Sequence, residues 1–495
     1  MKRQGRPARP GKHGPKRRRR RGALLVLLVL LIVTMSIPAL GLAWLWRWAE
    51  VEAEPPPTTT TTLPEGYDDP APELDTELLS MRRSPTELAA RARDDAYRAV
   101  LQPFFDTLPD GSCVAIDIEG ERFADVRADL AVIPASNQKL IVAAVALDVL
   151  GDDHRFRTEL RGAAPVGNVI TGDVYLVGGG DPLLVTTDYV DPLPLPAFNT
   201  TSLDSIADAM QAAGVTEIVG DVVGDGSRYD DEYVVPSWGP DHVLGDDAGP
   251  YDALTVNDGR TFADSTIGFN PNQSAARQLI RLLQARNIVV TGRSRNGTAP
   301  NDGSIVVLGA VESAPLSDIV DELLQTSDNN TAELLVKEIG FAVRGEGTRV
   351  AGLQEIWNKL AEWQVPLEGV ALDDGSGLSR DDRLTCDAIT AMLEHVGVDS
   401  ELTKSLPVAG VSGTLVAELV GGPAEGRLSA KTGTLTGVRA LSGFLQADDG
   451  VMAFSLVLNG EGVDDPAYYQ PLWSRLVTLL DGHPIGPEVD EFAPR

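Results

Sequence analysis

The stretch from Leu140 to Leu147 carries no polar residue on any face. A helix of that kind has no side that wants water, so it has to lie at the centre of a fold with layers packed around it. Yet Ser136 and Lys139 stand at its start. Residues i and i+3 share a helix face, so the hydroxyl and the amine can meet. Desolvation disfavours the charged form of a lysine and lowers its pKa. A lysine so tuned can take the serine's proton near neutral pH. The helix N-terminus beside the serine favours developing negative charge. The pair reads as a nucleophile with its own base.

By itself the spacing is weak evidence, since SxxK arises by chance about once or twice in a chain this long. Two further elements change that. Ser327-Asp328-Asn329 is an SxN in a polar run between two helical stretches, and Lys431-Thr432-Gly433 opens a strand-like run. KTG arises by chance in roughly one such chain in ten. The order SxxK, SxN, KTG is the signature of penicillin-binding proteins and related β-lactamases.

The blocks "PASNQKL", "GGGDPLL", "PLSDIVDELLQTSDNNTAELLVKEIG", "LDDGSGLSRDDRLT", "LPVAGVSGTL" and "RLSAKTGTLTGV" resemble, in order, those of a known family. It is the D-alanyl-D-alanine carboxypeptidase/endopeptidase family of class C, low-molecular-mass penicillin-binding proteins, the peptidase S13 group. The resemblance runs from about residue 85 to 480. It implies that Ser136 attacks the carbonyl between two D-alanines of a peptidoglycan stem peptide, with Lys139 as base. Ser327 would relay the proton to the departing D-alanine, and Asn329 would hold the acyl side chain. Lys431, Thr432, Gly433 and Thr434 would bind the terminal carboxylate. The backbone N–H groups of Ser136 and Thr434 would form the oxyanion hole. Arg380 matches a position used toward the free end of diaminopimelate, with Asp241 as its acidic companion. β-Lactams would act as inhibitors by acylating Ser136. Asp382 stands where the family pattern has asparagine.

The implied fold is the α/β (α+β) serine β-lactamase/DD-peptidase transpeptidase-like fold, an antiparallel sheet flanked by helices. Residues 84–151 and 305–482 would form it. Residues 152–304 alternate strand-like and helix-like runs, which argues an inserted α/β domain. That insert is shorter than the family leads one to expect. Residues 483–495 form a C-terminal tail.

The beginning of the chain differs from the rest. Eleven of its basic residues precede Gly22, and Gly22 to Trp46 then runs without a charge. As a helix that run spans about 37 Å, enough to cross a hydrocarbon core. Residues 1–21 read as a basic cytoplasmic tail and 22–46 as a transmembrane anchor. A cleaved signal peptide is the alternative, with Gly41-Leu42-Ala43 as its cleavage site, though the run is long for that. Either way the remainder is exported, and the Pro/Thr-rich stretch 47–83 is a stiff spacer.

The whole chain carries a formal net charge of −30. With the basic residues gathered at the start, the exported part is more acidic still, which disfavours nucleic acid as a partner. The five histidines form no HExxH and the two cysteines no CxxC, so neither a metal site nor a cofactor is expected. Cys113 and Cys386 are open to two readings, one disulfide or two buried thiols. A β-lactamase, or a catalytically silent cell-wall scaffold, remains the competing reading. No glutamate-bearing deacylation loop is evident between the SxN and KTG blocks, and a silent site has no reason to keep five reactive residues.

Overall fold

A computed structural model describes residues 85–487 and Glu491, apart from 192–193, 240–241, 243–246, 260–268, 448–449 and 485. The basic tail, the apolar run 22–46, the spacer 47–83 and Asp241 lie outside these residues. Among the described residues no helix is long and apolar enough to cross a membrane.

The described chain opens with helix α1 (Pro85–Phe105), the hairpin β1 (Cys113–Ile118) and β2 (Glu121–Val126), and helix α2 (Gln138–Leu150). An inserted segment follows. It contains β3 (Arg157–Gly162), β4 (Val169–Thr171), β5 (Val174–Val177), β6 (Leu184–Val185), β7 (Thr201–Ser202), α3 (Asp204–Ala212), β8 (Glu217–Val219), β9 (Val222–Asp225), α4 (Pro271–Ala285), β10 (Val289–Val290), β11 (Ser294–Asn296) and β12 (Val306–Glu312). The chain then returns through α5 (Leu316–Thr326), α6 (Asn329–Arg344), α7 (Arg349–Glu362) and α8 (Cys386–Val396). It closes with β13 (Leu428–Leu435), β14 (Val438–Ala447), β15 (Gly450–Asn459) and α9 (Pro466–Asp481).

The main sheet is antiparallel throughout, in the order β13-β14-β15-β1-β2. Side chains alternate across it, as the period of a strand requires. Cys113, Ala115, Ala440, Phe444, Ala453 and Val457 face one core, built on α2 and the helices after it. Val114, Ile116, Leu441, Leu445, Phe454 and Leu456 face the other, built on α1 and α9. The apolar stretch of α2 is buried from Leu140 through Ala146, and Gly151 ends the helix at φ 85°. This is the central helix that its composition demands, and each large aliphatic side chain there contributes about 1.5–3 kcal/mol by burial. Cys113 and Cys386 form a disulfide, which ties β1 to the first residue of α8.

The insert has its own core around α3 and α4. Its five-stranded sheet runs β11-β9-β5-β3-β12, and a three-stranded parallel sheet runs β10-β8-β4. Parallel pairs join β9 to β5 and to β11, as strands separated by helices allow. Strand β12 pairs with β3 over Val306–Glu312. The insert's sheet therefore extends past the limit at residue 304 that the texture of the sequence suggests, and the chain rejoins the peptidase layers near Ser313. The pairing partner lies far back in the chain, so local composition carries no trace of it.

Candidate active site

The turn Ala135–Asn137 leads directly into α2. It is pinned on two sides. Asn137 Nδ2 donates to Ser442 Oγ at 2.6 Å, and Ser442 pairs with Ser455 at 2.9 Å in the main sheet. Asn459 brackets Ile133 through both backbone groups, at 2.9 and 3.0 Å. Ala135 is held at φ 49°, a left-handed conformation that costs an alanine about 1–3 kcal/mol and persists only where its surroundings impose it.

Lys139 is fully buried. Its Nζ lies 3.1 Å from Ser136 Oγ, 2.6 Å from Asn329 Oδ1 and 2.6 Å from Ser376 O. A neutral amine has two N–H groups and one lone pair. The two carbonyl oxygens take the N–H groups, and the lone pair is left for the serine's proton. Burial pushes the amine down to about 8, against the opposing pull of Asp374, Glu333, Asp328 and Asp382.

The SxN segment is a junction between helices. Ser327 ends α5 in the left-handed region at φ 67°. Asp328 caps α6, accepting from Asn330 N at 2.8 Å and Thr331 N at 3.3 Å. Such a cap satisfies the donors that open a helix. Asn329 then occupies the first helical position, with its Oδ1 on Lys139 and its Nδ2 donating to Asp247 O of the insert at 2.6 Å.

The KTG segment lies on β13, the edge strand of the main sheet, just past the point where residues 407–409 pair with the start of that strand. Lys431 Nζ donates to Ser327 Oγ at 2.8 Å and to Thr432 O at 3.0 Å. Burial holds this lysine well below its ordinary range, and the charges of Lys139 and Arg439 add to that. Among the described residues it has no carboxylate partner. Thr432 Oγ1 donates to Thr414 Oγ1 at 2.8 Å, and the Thr434 side chain is exposed. Gly433 is where the strand meets the nucleophile's turn. A Cβ there would lie 2.9 Å from Pro134 O and 3.2 Å from Ser136 N.

Ser136, Lys139, Ser327, Asn329 and Lys431 are thus brought together, with Thr432, Gly433 and Thr434 alongside. Arg380 stands apart from this group, exposed on the rim, with Nη1 donating to Thr436 O at 3.1 Å.

One part of the arrangement goes unnoticed in the sequence. The loop Asp373–Ser379, whose Ser376 carbonyl holds Lys139, is organised by three buried acids. Glu333 Oε1 accepts from Gly375 N and Ser376 N at 3.0 and 2.7 Å. Asp374 accepts from Gly377 N at 2.6 Å and Ser379 N at 2.7 Å. Asp382 Oδ1 accepts from Asp373 N at 2.7 Å and Asp374 N at 3.3 Å. The insert contributes Trp238, whose Nε1 donates to Asp374 Oδ2 at 2.7 Å. Burial raises the pKa of Asp382 well above the carboxylate range, and the neighbouring Asp374 raises it further. The acid-rich spelling "LDDGSGLSRDDR" was the available signal, but it is muted in so acidic a chain. Gly377 is required by close approach, since at φ +82° a Cβ would lie 1.9 Å from Ala135 O.

A half-buried serine on a buried lysine, with a second serine–lysine pair linked to it through the Ser327–Asn329 turn, defines a serine enzyme working through an acyl intermediate. Comparison with known proteins narrows the class. The model of the D-Ala-D-Ala carboxypeptidase 3 (S13) family matches residues 110–267 and 261–471, and the chain belongs to that family. A D-alanyl-D-alanine carboxypeptidase of Actinomadura sp. (strain R39) is 30% identical over 79% of this chain and 85% of its own length. A carboxypeptidase of Mycobacterium tuberculosis is 30% identical over 68% of this chain and 72% of its own. Among solved structures, penicillin binding protein 4 from Haemophilus influenzae superposes with a TM-score of 0.66 at 21% identity, covering 77% of this chain and 99% of that one. The fold is therefore that of penicillin binding protein 4.

Proposed function

We propose that the chain is a serine-type D-Ala-D-Ala carboxypeptidase that trims peptidoglycan stem peptides and is acylated by β-lactams. The observation that carries this reading is the set of partners around Lys139 Nζ, which leaves a lone pair for the Ser136 hydroxyl. Lys139 takes the proton as Ser136 Oγ attacks the carbonyl carbon between the two D-alanines. The backbone N–H groups of Ser136 and Thr434 receive the oxyanion, and losing one such donor costs about 10²–10³ in rate. Ser327 accepts from Lys431 and acts as a relay: it passes its own proton to the leaving amine and regains one from the protonated Lys139, so the proton taken from Ser136 departs with the D-alanine. Water then hydrolyses the acyl-enzyme. Lys431, buried without a carboxylate, gains its counter-charge when the substrate's terminal carboxylate docks beside Thr432 and Thr434.

A cavity of about 230 Å³ flanks Ser327 and Asn329 and is walled by Pro194, Leu195 and Asp247 of the insert. It fits the acyl side of a stem peptide, and we assign the exposed Arg380 to that peptide's free end. Endopeptidase cleavage of cross-linked stems attacks the same kind of D-alanine carbonyl, and the width of the pocket decides between the two modes. We read residues 1–46 as a tail and anchor that keep the enzyme at the cell membrane, and residues 47–83 as the spacer that sets it off from the surface. Cell fractionation of the full chain is expected to leave it in the salt-washed membranes. A soluble, shortened product would instead establish cleavage.

The test of the activity is digestion of purified muropeptides by the exported portion. Release of D-alanine from pentapeptide stems is the expected result. Intact stems, from enzyme that still folds, would overturn the assignment.

A further inference from the structure

Arg439 stands on β14 directly opposite Thr434 on β13. Its guanidinium lies over the rings of Tyr469 and Trp473, with Cζ 3.8 and 4.4 Å from their centroids. Only 11% of the side chain is exposed. One end, Nη1, donates to Thr434 Oγ1. Among the described residues its ion-pair partner is Glu418, at 3.6 Å from Nη2. That carboxylate is already engaged by the Tyr469 hydroxyl at 2.9 Å and by Gln470 Nε2 at 3.3 Å. Nε is buried with no acceptor among the described residues. A guanidinium held this way is fixed in direction and weakly neutralised.

The consequence falls on Thr434. A hydroxyl has one proton and two lone pairs, and a guanidinium only donates. With Arg439 occupying one lone pair from the neighbouring strand, the Thr434 proton is left for the exposed side of β13, on the face that Thr434 shares with Thr432. The buried positive charge backs the same spot, and its field there is little screened.

We propose that Arg439 is a positioning residue that sets the specificity of the site for a free carboxylate on the departing residue. It orients the Thr434 hydroxyl as a donor and raises the potential where the carboxylate sits. This rests on the reading above that the substrate's terminal carboxylate docks at Thr432 and Thr434.

The experiment compares an N-acylated peptide ending in D-Ala-D-Ala with the same peptide ending in a carboxamide. The enzymes are the wild type, Arg439→Gln, Thr434→Val and the double variant. For the acid peptide, Arg439→Gln is expected to lower kcat/KM about tenfold, mainly through KM, as the loss of one charge-assisted contact implies. For the amide the change is expected to be within about twofold, because no anion is there to be read. In the double variant the two losses are expected not to multiply, because both remove the same contact. Arg439→Lys is assayed in parallel. It keeps the charge and disturbs the packing on Tyr469 and Trp473 less, so it is expected to retain part of the acid preference and to fold even where the glutamine variant does not. Equal losses on acid and amide, or fully multiplicative losses in the double variant, would overturn the proposal and leave Arg439 a packing residue. If the wild type cleaves neither peptide, the peptidase reading fails first and this inference falls with it.

Discussion

Lys139 Nζ donates to Ser376 O at 2.6 Å across 237 residues of sequence. The amine at the head of α2 is thus held from a loop that the chain builds only after completing the insert and three helices. That loop is in turn fixed by Asp374 within it, by Asp382 just beyond it, by Glu333 from α6 and by Trp238 from the insert. The base is positioned by the whole molecule rather than by its own helix.

The state of Lys139 predicts a pH profile. Only the neutral amine can take the Ser136 proton, and the amine is brought down to about 8. The rate of acylation by a penicillin is therefore expected to rise with pH and level off above about 8, falling roughly tenfold per unit on the acid side. Stopped-flow acylation between pH 6 and 10 checks this. A flat profile across that range would exclude Lys139 as the base. Lys139→Ala is expected to lower the rate by about 10²–10⁴.

Asp382 predicts a stability change with a definite sign. Its folded pKa is raised, first by burial and then by Asp374. From the ordinary carboxylate range near 4 up to its folded pKa, the folded state binds more protons than the unfolded state, so its contribution to stability declines as pH rises through that window. An asparagine keeps the Oδ1 acceptor for Asp373 N and Asp374 N, and in place of the protonated Oδ2 it offers an N–H toward the Asp374 carboxylate. Asp382→Asn is expected to raise Tm, and by more at pH 8 than at pH 5. A lowered Tm at both values would contradict this.

The disulfide closes the chain between Cys113 and Cys386. Cross-links over loops of this length are worth about 2–5 kcal/mol, chiefly through the unfolded state. The double variant Cys113→Ser/Cys386→Ser is expected to melt at a lower temperature while still being acylated by penicillin, since neither sulfur lies among the contacts of Ser136 or Lys139. Loss of acylation in a folded double variant would show that the bond also sets the site.

The site's reactive residues were legible in the sequence because each of them is fixed by local spacing. Ser136 and Lys139 are one helical turn apart, Ser327 and Asn329 straddle a helix cap, and Lys431 stands beside its threonine on a strand, although that strand begins three residues earlier than the sequence suggests, at Leu428. The apolar run of α2 likewise announced a central helix. What escaped was long-range. The acids Glu333, Asp374 and Asp382 look like the rest of an acidic chain until folding buries them under one lysine. Trp238 reaches the loop only because the insert docks there. Strand β12 was read with the peptidase part, since nothing local reveals that its partner is β3. The same holds for the cysteine pair, which sequence left open, and for Arg439, whose meaning depends on standing across from Thr434. Asp241 lies outside the described residues, and its expected part beside Arg380 stays a sequence-based expectation.

The central claim is that Ser136 is the nucleophile of an acyl-enzyme. Intact-mass spectrometry of the protein after incubation with a penicillin tests it most directly, with Ser136→Ala beside the wild type. The account predicts one penicillin added to the wild type, mapped to the peptide that contains Ser136, and none added to a variant that melts as the wild type does. A variant still acylated to the same extent, or an adduct mapped to another serine, would contradict it.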